Sequence, residues 1–216
     1  MTKKVLPHNC RGVCVKRWSD HVVVRRGERC YGAFTLIELV VVTGIILILT
    51  GLVLSTVGYA RKKGARARAE TEIAAMSAAL ESYKADNAAY PRDNTTDTLD
   101  ARQNFDATQA VYQNASLYLY NALFGATNGS RTPDTGKRSY FAFKPNQLSP
   151  SDQAQPVAFI RDPFGNSYGY STIQATTGDS TKGYNPTFDL WSTAGVAPSP
   201  TPAPPATQQD LWIKNW

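Results

Sequence analysis

Phe34 to Val57 reads FTLIELVVVTGIILILTGLVLSTV, 24 residues in which Glu38 is the one ionisable side chain. As an α-helix rising 1.5 Å per residue, this run extends roughly 36 Å, enough to cross the hydrocarbon core of a bilayer. A cleaved secretory signal has a shorter apolar region, about 7 to 15 residues, followed by small residues. Here the small residues Gly32 and Ala33 come before the apolar run. The run therefore reads as a retained membrane span of residues 34–57, behind a leader of residues 1–33.

Charge divides unevenly around that span. The chain has 216 residues and a formal charge of +6. Residues 1–33 hold eight Lys or Arg against Asp20 and Glu28, while the remainder holds fifteen residues of each sign. The excess thus lies in front of the span, as in a flank retained in the cytoplasm, and no basic face for nucleic acid is implied. Cys10, Cys14, Cys30, His8 and His21 also all precede residue 34. The body beyond has no residues for a disulfide, a Ser-His or Cys-His nucleophilic centre, a Cys/His zinc site or a redox dithiol. His8, Cys10 and Cys14 are close in sequence but irregularly spaced for zinc, and read as incidental residues of a disposable leader. With no phosphate-binding glycine loop either, the chain reads as a non-enzyme without a cofactor.

Glu38 is the informative exception within the span. A carboxylate at membrane depth is costly unless it is protonated, reaches the interface or meets a positive group. Interfacial snorkelling is one reading. The other pairs Glu38 with a new α-amino group, exposed by a cut just before Phe34 and supplied by a neighbouring subunit. The stretch Gly32-Ala33-Phe34-Thr35-Leu36-Ile37-Glu38-Leu39 resembles the class III signal of type IV prepilins and type II secretion pseudopilins. That resemblance implies a cleavage site of Gly32, Ala33 and Phe34, with the leader removed by a membrane aspartyl peptidase. It also implies N-methylation of Phe34 by the same enzyme, and subunit docking guided by Glu38 as the fifth mature residue. Ala33 stands where the family usually has Gly, which leaves a cut after Gly32 as the alternative, and the count to Glu38 favours Phe34. The leader is long for the family; initiation near Val22 to Val24 would leave the compact VVVRRGERCYGA.

Beyond the span, Ala69, Ile73, Met76, Leu80 and Tyr83 recur at helical spacing, so the helix continues as an amphipathic stem over residues 58–90 with this stripe on a globular core. Arg66 with Glu70 and Arg68 with Glu72 are spaced for i,i+4 pairing on its exposed side. The stem is expected to end before Pro91. Arg61, Lys62, Lys63, Arg66 and Arg68 follow the span closely, whereas Arg25, Arg26 and Arg29 immediately precede it. Local counts therefore favour the reverse topology. The whole leader outweighs the distal cluster, and the resemblance implies a cytoplasmic leader and a periplasmic C-terminal domain at a bacterial inner membrane. The segment EIAAMSAALESYKADNAAYP, Glu72 to Pro91, also resembles the G-type major pseudopilin.

The remaining chain reads as a small head. Residues 91–156 form a variable insert with a helix over Ala107 to Phe124, its apolar side formed by Ala115, Leu119, Ala122 and Leu123 and its stop at Gly125. Tyr140, Phe141 and Phe143 are expected to begin an extended segment. In the C-terminal region, 157–216, Val157 to Ile160 and Tyr168 to Ile173 read as strands around a hairpin turn, with Asp162, Pro163, Gly165 and Asn166 supplying the reversal. Phe188 to Ser192 reads as a further strand. The Asp-Pro-aromatic-Gly-Asn block, that strand and the terminal Asn215-Trp216 again resemble G-type pseudopilins. The fold class is thus α+β, a long N-terminal helix packed on a small antiparallel sheet, pilin-like. In that family the loop after the last strand holds a structural calcium ion. Here it is GVAPSPTPAPPATQQ, with a proline-rich stretch at 196–206 and no carboxylate between Asp189 and Asp210. Asp189, Ser192 and Asp210 remain as weak calcium candidates, and no firm metal site is expected.

The function implied is that of a structural subunit of a periplasmic pseudopilus. Its expected partners are the prepilin peptidase and methyltransferase, copies of itself and other pseudopilins, and an inner-membrane platform driven by a cytoplasmic ATPase. A type IV pilin for adhesion, motility or DNA uptake is the rival. Many such pilins close the C-terminal region with a disulfide, which this body has no cysteine to form.

Overall fold

Residues 34–196, 198 and 208–216 are described by the computed structural model. Gly32, Ala33 and the rest of the leader lie outside the described residues, as does most of the proline-rich stretch. The protein is α+β, with a long N-terminal helix and small antiparallel sheets, the architecture expected of a pilin-like fold. Two units are distinguishable, one up to Ser55 and the other Thr56–Trp216. Helix α1, Leu36–Asn87, has residues in both and contains no proline.

In the first unit the apolar side chains of α1, among them Ile37, Val40, Ile46 and Leu54, are exposed. This is the one helix among the described residues that is long and apolar enough to cross a membrane. In the second unit α1 buries Ala69, Ile73, Met76 and Leu80, with Tyr83 packed at the margin, so the expected stripe is the buried one. Ala79 joins it. The helix ends at Asn87, ahead of Pro91, and Ala88 turns the chain with φ 61°.

Helix α2, Ala110–Phe124, begins three residues later than the sequence suggests. The Asp106 carboxylate accepts hydrogen bonds from the amide and hydroxyl of Thr108, at 2.9 and 2.6 Å, so a local turn takes up the residues before Gln109. Gly125 stops the helix at φ 76°, donating its N–H to Asn121 O, because the left-handed conformation there favours a residue without Cβ. Tyr112, Ala115, Ser116, Leu119, Tyr120 and Leu123 are buried. Ala122 is only half-buried, since the inward face centres on the row 112, 116, 119 and 123.

Tyr140, Phe141 and Phe143 do not form a strand. The amides of Tyr140 and Phe141 both donate to Leu123 O, at 2.7 and 3.1 Å, satisfying a carbonyl in the last turn of α2 instead of a ladder. β1, Leu148–Ser149, pairs antiparallel with β2, Phe159–Ile160. β2 is shorter than expected because Val157 N–H is taken by Gly129 O. The second sheet has the order β3 (Gly169–Ser171), β4 (Asp189–Ser192), β5 (Ile213–Lys214), all antiparallel, with Gly169 opposite Trp191 and Trp191 opposite Lys214. β3 ends early because Ile173 opens a short helix, α3, Ile173–Thr177.

Two apolar clusters hold this unit together. One joins the α1 stripe to α2 and to Tyr168, Tyr170, Leu190 and Ile213. The other gathers Leu99, Ala101, Ala107, Tyr112 and Ala115 around Trp191 and Trp212. The insert thus supplies ten of the twenty-four buried residues of these clusters, five of the seven in the second.

Candidate assembly site

Phe34 and Thr35 precede the first turn of α1, and Glu38 lies within that turn. Glu38 Oε2 accepts from the backbone N–H of Thr35 at 3.0 Å and from its hydroxyl at 2.8 Å. In return the Thr35 hydroxyl oxygen accepts from Glu38 N–H at 3.3 Å. This reciprocal pair is a capping box, which satisfies donors that a helix start otherwise leaves without partners. Phe34 is 85% exposed and Glu38 is exposed as well. The carboxylate is therefore oriented by its own helix terminus yet open to a further positive group. Thr35 was the residue that sequence reasoning passed over. Its signal was present as a Thr-x-x-Glu box ahead of an apolar run.

No protein-family model, curated protein or solved structure matches the chain.

On the stem, Arg66 pairs with Glu70 at 3.5 Å on an exposed face, as spaced. Arg68 and Glu72 also pair, at 2.8 Å, but Glu72 is buried, contrary to the exposed side expected for it. The reason is Tyr168, whose hydroxyl donates to Glu72 Oε2 at 2.8 Å. One carboxylate thus receives a tyrosine from the sheet region and an arginine from its own helix, fixing the rotation of the stem against the head. Arg66 also reaches the C-terminal segment, donating to Leu211 O at 2.8 Å and Trp212 O at 3.3 Å. Neither link was legible from spacing along α1.

Residues 162–166 reverse the chain in a turn. Gly165 N–H donates to Asp162 O at 3.1 Å, and Asp162 Oδ1 accepts from the amides of Phe164 and Asn166 at 3.0 and 2.7 Å. Pro163 occupies the position where a fixed φ suits the bend, and Gly165 takes φ 99°. An isolated antiparallel bridge between Arg161 and Ser167 closes the reversal, so its flanks join separate sheets and do not form one long hairpin. Asn166 Nδ2 donates to Thr193 Oγ1 at 3.3 Å, tying the turn to the end of β4.

The three weak calcium candidates have different surroundings. Both Asp189 oxygens are engaged, accepting from the amides of Tyr184 and Asn185 at 2.9 and 2.8 Å. Ser192 donates to Asp162 Oδ2 at 2.5 Å and accepts from Ala194 N–H. Asp210 is exposed. Among the described residues no group of three or more His, Cys, Asp or Glu side chains converges on one point. Ser192 therefore serves the turn, and Asp189 serves the loop before β4.

Burial pushes the Asp189 carboxyl up to about 6, despite the two amides that favour its ionised form, and burial raises Asp162 as well. Across pH 4 to 6 the folded chain consequently binds more protons at these groups than the unfolded chain does. Stability should fall as pH rises through that window, with Asp189 alone contributing on the order of 3 kcal/mol at most. Hydrogen bonds instead lower the Asp106 and Asp179 carboxyls, whose contributions are lost only as pH falls below about 4. Thermal melts in mild detergent should thus give a higher Tm at pH 5 than at pH 7. Asp189→Asn should flatten this difference, while losing stability of about 1 to 3 kcal/mol because its amide nitrogen faces one of the two donors. A wild-type Tm rising from pH 5 to 7 would contradict the assignment.

Proposed function

We propose that the chain is a pseudopilin, a structural subunit that polymerises into the periplasmic pseudopilus of a type II secretion system. The observation that carries this reading is a single helix, α1, whose first turn holds Glu38 in a capping box with Thr35, which continues as an exposed apolar segment and then buries a stripe in an α+β head. An exposed apolar helix of this kind finds its stable surroundings in lipid or in a bundle of like helices. The sequence motif Gly32 to Leu39, whose last four residues open that helix, supports processing by a prepilin peptidase at Ala33–Phe34 and methylation at Phe34. Assembly then requires the platform and its ATPase, and this subunit performs no chemistry of its own.

The processing step can be tested directly. The mature subunit in native membranes should begin at N-methylated Phe34 and contain no cysteine, since every cysteine precedes that residue. Intact-mass and N-terminal peptide spectra would decide it. A dominant species retaining Cys30, or starting well inside the apolar run, would reject the processing model. Deleting the gene should abolish export of folded proteins while surface motility persists; loss of motility with normal export would select the pilus instead.

A further inference from the structure

Between Glu38 and Glu70 the chain carries no acidic residue, yet it carries Arg61, Lys62, Lys63, Arg66 and Arg68. Two of these cations are committed. Arg66 holds Glu70 and the carbonyls of the C-terminal segment, and Arg68 holds Glu72. Arg61, Lys62 and Lys63 are exposed, and none of them has an ion-pair partner among the described residues. We infer that these three residues form a cationic belt that binds the anionic phospholipid headgroups of the leaflet through which the chain leaves the membrane.

Geometry selects lipid over a protein face. Consecutive helical residues are separated by about 100°, so the three side chains are spread over roughly 200° of the circumference. A partner packed on one side of α1 meets at most two of them. A headgroup layer surrounds the helix and meets all three. Axial position agrees: Arg61 to Lys63 begin about 6 to 9 Å beyond Val57, where the apolar run ends. The polar layer on each side of a bilayer is roughly 5 to 8 Å deep, and long basic side chains reach back along the helix towards phosphate. Tyr59, 73% exposed, lies between the apolar run and the belt, at the level where aromatic side chains favour the interface. Gly58 and Gly64 flank this short segment, and among the described residues nothing lies within 4 Å of where a Cβ would stand at either.

The inference rests on α1 being a membrane span but not on filament assembly. Its test uses the full chain, inserted in vesicles and then carried in mild detergent into native mass spectrometry with phosphatidylglycerol and phosphatidylcholine in competition. Wild type should retain phosphatidylglycerol preferentially. The joint substitution Arg61→Gln, Lys62→Gln and Lys63→Gln should reduce that preference by about 100-fold, as three near-surface cations imply. An equal charge reduction in the head, Lys144→Gln, Arg161→Gln and Lys182→Gln, should leave it within about threefold. Circular dichroism of each variant checks that the fold is retained. Equal retention of both lipids by wild type overturns the belt, as does a preference that survives its neutralisation. A loss of cross-linked multimers without any lipid preference would assign the cations to neighbouring subunits and also overturn it. Release of the wild-type chain from vesicles by alkaline carbonate would reject the span itself, a result distinguishable from loss of lipid selectivity in an inserted chain.

Discussion

Gly169→Ala should destabilise the soluble unit by about 3 kcal/mol or more and lower its Tm by roughly 10 °C. In β3, Gly169 lies opposite Trp191 of β4, and a Cβ added there would come within 2.3 Å of the indole ring. The ring has nowhere to retreat. Trp191 is fully buried, stacks on Trp212 at 6.1 Å, meets Tyr112 edge-on at 5.6 Å and donates its indole N–H to the Tyr112 hydroxyl at 3.2 Å. Tyr112 in turn donates to Asn104 O at 2.6 Å. A methyl group at residue 169 therefore displaces a ring that joins the sheet to α2 and to the C-terminal segment, and the loss resembles overpacking combined with partial loss of a buried tryptophan. Gly64→Ala is the matched comparison, because nothing lies within 4 Å of a Cβ there and the residue is helical. It should be neutral or stabilising by up to about 1 kcal/mol. A Gly169→Ala protein melting within 1 °C of wild type would show that the Trp191 cluster rearranges far more easily than its packing implies.

What the sequence disclosed and what it hid follow from how local each determinant is. The apolar run of α1, the stripe Ala69, Ile73, Met76 and Leu80, the stop at Gly125 and the Asp162 turn are all written within a few neighbouring residues. Periodicity and turn chemistry read such features directly. The second cluster is different, since Leu99, Tyr112, Trp191 and Trp212 come from four separate segments. Residues 92–106 look polar with turn formers, yet Thr96, Leu99, Asp100 and Ala101 are buried there. Their polar groups are satisfied at long range: Thr96 bonds the Thr172 hydroxyl at 2.8 Å, and Asp100 accepts from Gly183 N–H at 3.1 Å. Glu72 shows the same limit at the candidate site. Its spacing to Arg68 announced an ion pair, but its burial depends on Tyr168, 96 residues away. Glu38 was legible as an anomaly, and its capping partner Thr35 only as a Thr-x-x-Glu pattern ahead of the apolar run.

On the proposed pseudopilin function, replacing Glu38 should leave membrane insertion and leader removal largely intact while reducing assembly into pseudopili. Two roles for the carboxylate make different predictions. As a helix cap it accepts from the amide and hydroxyl of Thr35, a task that a glutamine side-chain oxygen performs as well. As a docking charge it pairs with the positive N-terminus of a neighbour, which glutamine does not. A lone subunit can protonate the acid or let it reach interfacial water, whereas a filament pairs its ionised form. Removing the charge therefore eases the membrane state and deletes a contact available only after docking. Glu38→Gln and Glu38→Ala should accordingly fall together, with cross-linked multimers and exported substrate reduced about tenfold or more, the effect of losing one desolvated charge pair. If capping alone mattered, Glu38→Gln would behave as wild type and only Glu38→Ala would fail. The measurement is made in the native host at matched levels of mature subunit, with leader removal scored by mass on the same samples. Normal multimers and normal export from Glu38→Gln would reject the docking charge, while defective processing in both variants would move the carboxylate's role to an earlier step, recognition by the peptidase.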